Sequence, residues 1–217
     1  PFFFNINIWV LPPQAAVGLS ALPLTLHCLP ATPAAVLQSL AHPIRRHCMK
    51  TLIAYFSHTG ENYFGGSIKN ISKGNTEVVA EFAQKASGGD LFQIQTVKDY
   101  PVNYKECTEV AAAEGRAGER PALKGSLPSI ADYDTIILGY PCWWGTMPQA
   151  VFTFLESGDF SGKKILPFCT HEGSGMGRSE SDIKKLCPKA IVAKGLAVSG
   201  SSCHSAEASV RKWLEAN

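Results

Sequence analysis

The chain has 217 residues, of which 45% are hydrophobic, and this is enough to build one ordinary α/β core. All 18 acidic residues and 18 of the 20 basic residues lie after position 48, so the chain from residue 49 onward carries no net charge. Because no basic stripe is present, we expect no nucleic-acid partner. Seven scattered cysteines without a C-x-x-C pair indicate reduced thiols in a cytoplasmic protein, and their spacing does not fit a zinc or iron–sulfur site.

The first 48 residues differ in composition from the rest of the chain. They carry no charge before Arg45 and contain seven of the 14 prolines, which interrupt every apolar run long enough to cross a bilayer as a helix. We therefore do not expect membrane association. Met49 stands directly before the first predicted strand, and we favour it as the natural start, with residues 1–48 as a disordered or non-native extension and 49–217 as the domain. A membrane or export segment and a structured extension are the alternatives.

The first half of the domain alternates apolar strands with amphipathic helices. Residues 50–56 read as a buried strand, and a helix begins near Gly74, with Asn75 as its expected N-cap. Residues 90–97 are expected to form a second strand at an edge of the sheet, and residues 104–117 a second helix. This alternation is typical of a parallel sheet.

The second half continues the same pattern. Its predicted strands are residues 135–138, 164–169 and 191–198, and its predicted helices follow Thr146 and cover residues 179–187 and 205–216. Strands that alternate with helices in this way are expected to build a sheet covered on both faces.

Small polar residues follow the first strand and open the first helix. Ser57, Thr59 and Gly60 come directly after the strand, and Asn75 and Thr76 stand at the start of the helix. Hydroxyl groups and backbone N–H groups donate to phosphate, and a helix N-terminus adds a positive dipole end. The pattern predicts an anion cradle.

Two adjacent tryptophans, Trp143 and Trp144, follow the third strand of the main pattern. Neighbouring side chains of an extended segment point in opposite directions, so both rings are not expected to enter one core. In open α/β sheets, ligands bind at the carboxyl ends of the strands. The pair therefore favours a flat heteroaromatic ligand at this edge.

Taken together, three loops resemble those of the flavodoxin family. Ser57-x-Thr59-Gly60 with Asn75-Thr76 resembles the family's phosphate loop S/T-x-T-G-x-T, split by an insertion over residues 61–73. Tyr140-Pro141-x-Trp143-Trp144-Gly145 resembles its first flavin-ring loop, and Thr170-His171-Glu172-Gly173-Ser174-Gly175-Met176-Gly177 its second. The resemblance covers roughly residues 49–217 in the expected order.

The resemblance implies a flavodoxin-like fold: a doubly wound, five-stranded parallel sheet of order 2-1-3-4-5 with helices on both faces. It also implies FMN as the cofactor. The binding residues it implies are Ser57, Thr59, Gly60, Asn75 and Thr76 for the phosphate, and Pro141, Trp143, Trp144, Gly145, Thr170, His171, Gly173, Ser174 and Gly175 for the flavin ring. Gly145 would let a peptide carbonyl turn toward the flavin N5, and the run from Gly173 to Gly175 would bring N–H groups to the O2 and N1 edge. No metal ligand and no catalytic residue is assigned.

Two functions fit this interpretation. We favour an electron carrier that serves redox partner proteins or a small-molecule acceptor, because the domain lacks long extra segments for a nicotinamide site. The alternative is an FMN-dependent NAD(P)H or quinone oxidoreductase. Residues 61–70, with their aromatic pair and glycines, could form a hairpin over the phosphate end or a homodimer contact. The neutral charge departs from typical acidic flavodoxins and leaves the redox partner open.

Some residues near the predicted site receive no role from the sequence. His58 and His171 are expected to be solvated loop histidines. Cys142 and Cys169 lie beside the predicted site, but buried thiols at strand ends are usually inert, and we assign them no chemistry.

Overall fold

The computed structural model describes residues 50–217, which form a sheet flanked by helices. The predictions for residues 1–49 lie outside the described residues. The strands are β1 (Thr51–Tyr55), β2 (Gly60–Phe64), β3 (Ser67–Ile71), β4 (Asp90–Gln93), β5 (Thr135–Pro141), β6 (Lys164–His171), β7 (Ile191–Val192) and β8 (Leu196–Ser199). The helices are α1 (Asn75–Ser87), α2 (Tyr104–Ala117), α3 (Gln149–Glu156), α4 (Ser179–Leu186) and α5 (Glu207–Glu215).

The main sheet is parallel and runs in the order β4-β1-β5-β6, with β7 and β8 both pairing with β6. In the numbering of the sequence prediction this is the order 2-1-3-4-5, so the predicted doubly wound fold is confirmed. The predicted fifth strand, residues 191–198, is however broken into β7 and β8. At the break, the N–H of Gly195 donates to Oε1 of Glu180 at 2.7 Å, and a Cβ there would lie 2.3 Å from Cε of Met176.

Both faces of the sheet are covered. Along β1, Leu52 and Ala54 belong to one hydrophobic cluster, and Ile53 and Tyr55 belong to the other. The first cluster includes α3, and the second includes α1 and α5. This alternation is the period of two expected of a strand buried on both faces.

Helix α1 begins differently from the prediction. Its N-cap is Gly74 rather than Asn75, and the hydroxyl of Ser57 accepts the N–H of Glu77 at 3.2 Å. A side chain from the preceding loop therefore caps the helix in place of a residue of the helix segment. Among residues 50–217, no helix combines the length and apolar character needed to cross a membrane.

Between β1 and α1, strands β2 and β3 form an antiparallel hairpin, paired from Gly60↔Ile71 to Phe64↔Ser67. The two turn residues, Gly65 and Gly66, have φ of +59° and +91°. Two-residue hairpin turns favour such left-handed backbone, which glycine adopts without steric cost. The hairpin predicted for this segment is present.

Candidate cofactor site

A cavity of about 440 Å³ lies at the carboxyl ends of β1, β5 and β6, and we call it the cofactor cavity. Its other walls come from the β2–β3 hairpin and from α2. The structure brings eight of the sequence-predicted site residues to its lining: Asn75, Thr76, Pro141, Trp143, Trp144, Thr170, His171 and Ser174. The three loops expected to act together therefore meet around one space.

Six predicted residues lie outside this lining: Ser57, Thr59, Gly60, Gly145, Gly173 and Gly175. The hydroxyl of Ser57 accepts a hydrogen bond from the N–H of Glu77 at the start of α1, and Thr59 is exposed. Gly60 is buried at the base of the hairpin, where a Cβ would lie 2.6 Å from Cγ1 of Val102. Their role in binding stays a prediction.

The start of α1 forms the polar end of the cavity. Oγ1 of Thr76 hydrogen-bonds to Oγ1 of Thr170 at 2.8 Å, which joins the helix start to the end of β6. Oδ1 of Asn75 accepts the thiol of Cys203 at 3.4 Å. A 13-residue helix whose first turn points at a cavity supplies free N–H groups and a positive dipole end. This end of the cavity suits an anionic group.

Gly200 and Glu172 close the same end of the cavity. A Cβ at Gly200 would lie 2.4 Å from Nδ2 of Asn75 and 2.9 Å from Oε1 of Glu172. The Glu172 carboxylate accepts the N–H of Ser201 at 2.6 Å and that of Gly65, at the hairpin tip, at 3.4 Å. Glu172 therefore connects the loop after β6 to the hairpin.

Residues 143–146 form a tight turn at the opposite end, which we call the tryptophan turn. Trp143 N–H donates to the Thr146 carbonyl at 2.8 Å, and Thr146 N–H donates back at 3.1 Å. The central residues, Trp144 and Gly145, have φ of +52° and +76°. Left-handed backbone at a bulky residue is an outlier that the surrounding structure must hold.

The two tryptophans have different environments. Trp143 packs edge-on against Phe56, Tyr100 and His58, with ring centroids 5.4, 5.1 and 5.9 Å away. Trp144 is 62% exposed, and its Nε1 donates to the Thr108 carbonyl on α2 at 3.1 Å. Trp143 thus packs within the protein, whereas Trp144 presents its ring at the rim.

The Gly145 carbonyl accepts the N–H of Arg178 at 2.8 Å. A Cβ at Gly177 would lie 2.2 Å from the same carbonyl oxygen. The Trp144 carbonyl has only a 3.5 Å contact with Nη1 of Arg178. Of the two carbonyls, that of Trp144 is therefore held less firmly than that of Gly145.

His58 lines the cavity and is half-buried, contrary to the expectation of a solvated histidine. Burial lowers the pKa of its imidazole, which favours the neutral ring. Its Nε2 is buried and has no hydrogen-bond partner among the described residues. His171 has a different role, because its Nδ1 accepts the N–H of Gly173 at 2.9 Å and makes that donor unavailable to a ligand.

The hairpin and α2 contribute lining residues that sequence reasoning did not assign: Glu61, Asn62, Tyr63, Tyr104, Cys107, Thr108 and Ala111. The Glu61 carboxylate accepts Nδ2 of Asn103 at 2.8 Å and the N–H of Tyr104 at 2.9 Å, so it ties the hairpin to the start of α2. Cys107 and Ala111 are one helical turn apart, and that spacing was the available signal for a buried face of α2.

A second, smaller cavity of about 230 Å³ adjoins the tryptophan turn. It shares Trp143, Trp144 and Ala111 with the cofactor cavity and is also lined by Arg116 and Arg178. The tryptophan pair therefore borders both spaces.

The cofactor cavity fits FMN. Its volume lies in the range of about 300–1,000 Å³ typical of small-molecule sites. It has an anion-binding end at α1 and an aromatic end at the tryptophan turn, as a phosphate-bearing heteroaromatic ligand requires. Nε2 of His58, which has no hydrogen-bond partner among the described residues, is a further polar atom to which such a ligand could hydrogen-bond.

Comparison with known proteins agrees with the predicted flavodoxin-like fold. A model of a flavodoxin family, described as Flavodoxin, matches residues 50–217. A candidate flavoprotein from Bacteroides uniformis ATCC 8492 is 31% identical, with a TM-score of 0.59 over 77% of this chain and 98% of that one. Another, from Bacteroides eggerthii DSM 20697, is 30% identical, with a TM-score of 0.62 over 77% and 96%.

A flavoprotein from Lactobacillus acidophilus NCFM, solved in complex with FMN, is 18% identical, with a TM-score of 0.55 over 76% of this chain and 99% of that one. At this identity the likeness concerns the fold alone. No curated protein matches this chain.

Proposed function

This chain belongs to the flavodoxin family, whose cofactor is FMN, and we propose that it is an electron carrier that serves redox partner proteins in the cytoplasm. Bound FMN would supply the electron-accepting and electron-donating chemistry. The residues of the chain hold the cofactor, set its orientation and control how a partner approaches it.

One observation carries the proposal: the cofactor cavity has room for one small molecule, and Trp144 stands 62% exposed at its rim. A carrier needs a cofactor edge that a partner can approach, and it needs no slot for a second substrate. The exposed ring of Trp144 supplies an aromatic edge at the point where the cavity meets the surface.

The roles of the residues follow from their positions. Asn75 and Thr76, at the start of α1, would hold the phosphate, with Thr170 locked to Thr76 by the hydroxyl pair at 2.8 Å. Trp144 would cover the flavin ring on its outer side. His58, neutral because of burial, would offer one hydrogen bond to the ligand.

The neutral net charge of the domain gives little electrostatic guidance to an approaching partner. The domain has 18 acidic and 18 basic residues, so long-range electrostatic steering toward an oppositely charged partner would be weak. We expect partner docking through shape and apolar contact near Trp144, with a rate that changes little with ionic strength. A small-molecule electron acceptor would fit the same neutral surface.

The second cavity favours a second candidate, an FMN-dependent NAD(P)H or quinone oxidoreductase. The 230 Å³ space on the other side of the tryptophan pair, beside Arg116 and Arg178, offers room for part of a substrate with an anionic group. This space is smaller than the range typical of complete small-molecule sites, about 300–1,000 Å³, and the carrier therefore remains our preferred function.

Steady-state kinetics separates the two functions. The full chain, loaded with FMN and desalted, is mixed with NADH or NADPH and a quinone, with free FMN at the same concentration as the control. The carrier proposal predicts no nucleotide oxidation above this control, together with rapid electron transfer from the reduced protein to a haem-protein acceptor. Saturable nucleotide oxidation that is weakened by Arg116→Ala would contradict the carrier function and support the oxidoreductase.

A further inference from the structure

Asp182 is a buried carboxylate on the first turn of α4, and it contacts the tryptophan turn. Its residue is 9% exposed, and its Oδ2 accepts the hydroxyl of Thr146 at 2.7 Å. Thr146, the last residue of the tryptophan turn, is buried as well. Burial of a carboxylate is costly unless hydrogen bonds replace its hydration, so the Thr146 hydroxyl stabilises Asp182 where it lies.

The hydroxyl of Thr146 serves this contact and not the helix that follows it. Helix α3 has Pro148 as its N-cap and no side-chain cap. The Asp182 carboxylate also pairs with Nε of Arg178 at 3.3 Å and Nζ of Lys185 at 3.7 Å, but both of these side chains are exposed, and exposed ion pairs contribute little. The hydrogen bond to Thr146 is the shortest and most buried of the three contacts.

The tryptophan turn has a strained backbone that the start of α4 holds in place. Trp144 has a φ of +52°, a conformation that bulky residues rarely adopt. The N–H of Arg178 donates to the Gly145 carbonyl at 2.8 Å, and Asp182 accepts the Thr146 hydroxyl. The first contact uses the backbone, so Asp182 supplies the buried side-chain contact that fixes the end of the turn.

The ring of Trp144 depends on the backbone of the turn because it has little packing of its own. The residue is 62% exposed, and its Nε1 donates to the Thr108 carbonyl at 3.1 Å. Trp143, in contrast, packs against three other rings. Loosening of the turn would therefore displace the Trp144 ring from the rim of the cofactor cavity before it disturbs the core.

We propose that Asp182 is a positioning residue for the cofactor site, which holds Thr146 and thereby keeps the Trp144 ring where it covers the flavin. The inference rests on the proposed role of Trp144 beside FMN. Asp182 lines neither of the two cavities, and Thr146 lines the second one but not the cofactor cavity. The effect of this pair on the cofactor therefore passes through the tryptophan turn.

Thr146→Val tests the proposal, because valine keeps the shape of the side chain and lacks the hydroxyl. In the full chain without FMN, the NMR resonance of the Trp144 indole N–H, assigned with Trp144→Phe, is expected to move toward that of a solvated indole. Its hydrogen exchange is expected to accelerate roughly tenfold or more. In titrations with FMN, the affinity is expected to fall roughly fivefold or more. Thr146→Ser, which keeps the hydroxyl, is expected to behave as the unaltered chain in all three measurements.

Two further variants complete the test. Ser179→Ala is the matched control, because it removes a buried hydroxyl of the same helix that bonds the Tyr140 hydroxyl at 2.9 Å and the Met176 carbonyl at 2.6 Å. It is expected to lower Tm and to leave the Trp144 indole resonance and the FMN affinity unchanged. The double variant Thr146→Val/Asp182→Asn leaves no buried charge without its partner. It is expected to show the same changes as Thr146→Val, and it replaces that variant if Thr146→Val folds poorly.

The proposal is overturned if these two valine variants keep the indole exchange rate and the FMN affinity of the unaltered chain, or if Ser179→Ala changes both as much as they do. Faster exchange without a loss of FMN affinity would also overturn the positioning role. An unaltered chain that binds no FMN would contradict the proposed function and, with it, the role of Asp182 toward the cofactor. Faster exchange in Thr146→Val would in that case still support Asp182 as the residue that holds the turn.

Discussion

Replacing Trp144 by asparagine tests whether this residue serves ligand binding or the stability of the fold. Trp144 holds φ at +52° in the tryptophan turn, and a bulky residue there costs about 1–2 kcal/mol. Asparagine tolerates this backbone better, so the substitution relieves part of that cost. It also removes the hydrogen bond to the Thr108 carbonyl, a loss of about 0.5–1.5 kcal/mol.

The two effects nearly cancel, because the ring is 62% exposed and little apolar burial is lost. We expect the free energy of unfolding of Trp144→Asn to change by less than about 1 kcal/mol, a Tm shift of roughly 2–4 °C at most. Loss of aromatic stacking, about 1–3 kcal/mol, should weaken FMN binding by roughly 5- to 150-fold. Thermal melts and a fluorescence titration with FMN measure the two effects.

Trp213→Phe is the matched control, because its Nε1 also donates to a backbone carbonyl, that of Lys194 at 3.0 Å, but its ring packs on Phe168 away from the cavity. It should lower Tm and leave FMN affinity unchanged. If Trp144→Asn instead lost several kcal/mol of stability and bound FMN as the unaltered chain does, the assignment of Trp144 to the ligand would be wrong.

Three further substitutions or reactions test other parts of the site. Gly200→Ala places a Cβ 2.4 Å from Nδ2 of Asn75 and 2.9 Å from Oε1 of Glu172, two flexible side-chain ends that line the cavity. The Tm should change little, while FMN affinity measured by titration falls roughly tenfold, or about 1.4 kcal/mol. Gly177→Ala, with φ of +53° and a backbone oxygen 2.2 Å from the new Cβ, should lose more stability in denaturant unfolding than Gly162→Ala, where φ is +73° and no atom lies within 4 Å. Equal losses would show that the backbone contact carries no cost. Because hydrogen bonds and a nearby arginine lower the pKa of Cys142 to about 6, its alkylation by iodoacetamide should rise as pH increases through about 6 and level off above 7. Cys187 is the control, because burial raises its pKa to about 11. An alkylation profile of Cys142 that rises only above pH 8 would contradict its lowered pKa.

Local patterns predicted much of this molecule. The predicted helix over residues 104–117 has the observed bounds, because its N-cap Asn103 and the left-handed Gly118 are sequence-local signals. The three loops also meet as expected, since parallel strands end at the same edge of a sheet. Each of these features depends on residues close together in the chain.

Features set by distant contacts escaped prediction. The break between β7 and β8 arises where Gly195 meets Met176 and Glu180, about one helix earlier in the chain. The wall made by the hairpin depends on Glu61 reaching the start of α2. The packing of Trp143 and the half-burial of His58 likewise follow from tertiary contacts that no local pattern encodes.

The hairpin also keeps the predicted homodimer contact open to test. Tyr63 and Ile68 are 45% and 54% exposed on it, and an apolar surface of this kind is a candidate for contact with a second copy. Light scattering of the full chain and of Ile68→Lys compares their masses. A dimer that the substitution dissociates would support this contact, and a monomer at all concentrations would remove it.

FMN binding by the full chain tests the account most directly. FMN is added in slight excess to the purified protein, the sample is desalted, and the visible spectrum and flavin fluorescence are recorded. The account predicts a yellow protein that retains FMN with its fluorescence quenched beside the aromatic end of the cavity. A colourless protein that leaves the fluorescence of added FMN unchanged would contradict the assignment of the cavity, the carrier function and the roles of the residues around it.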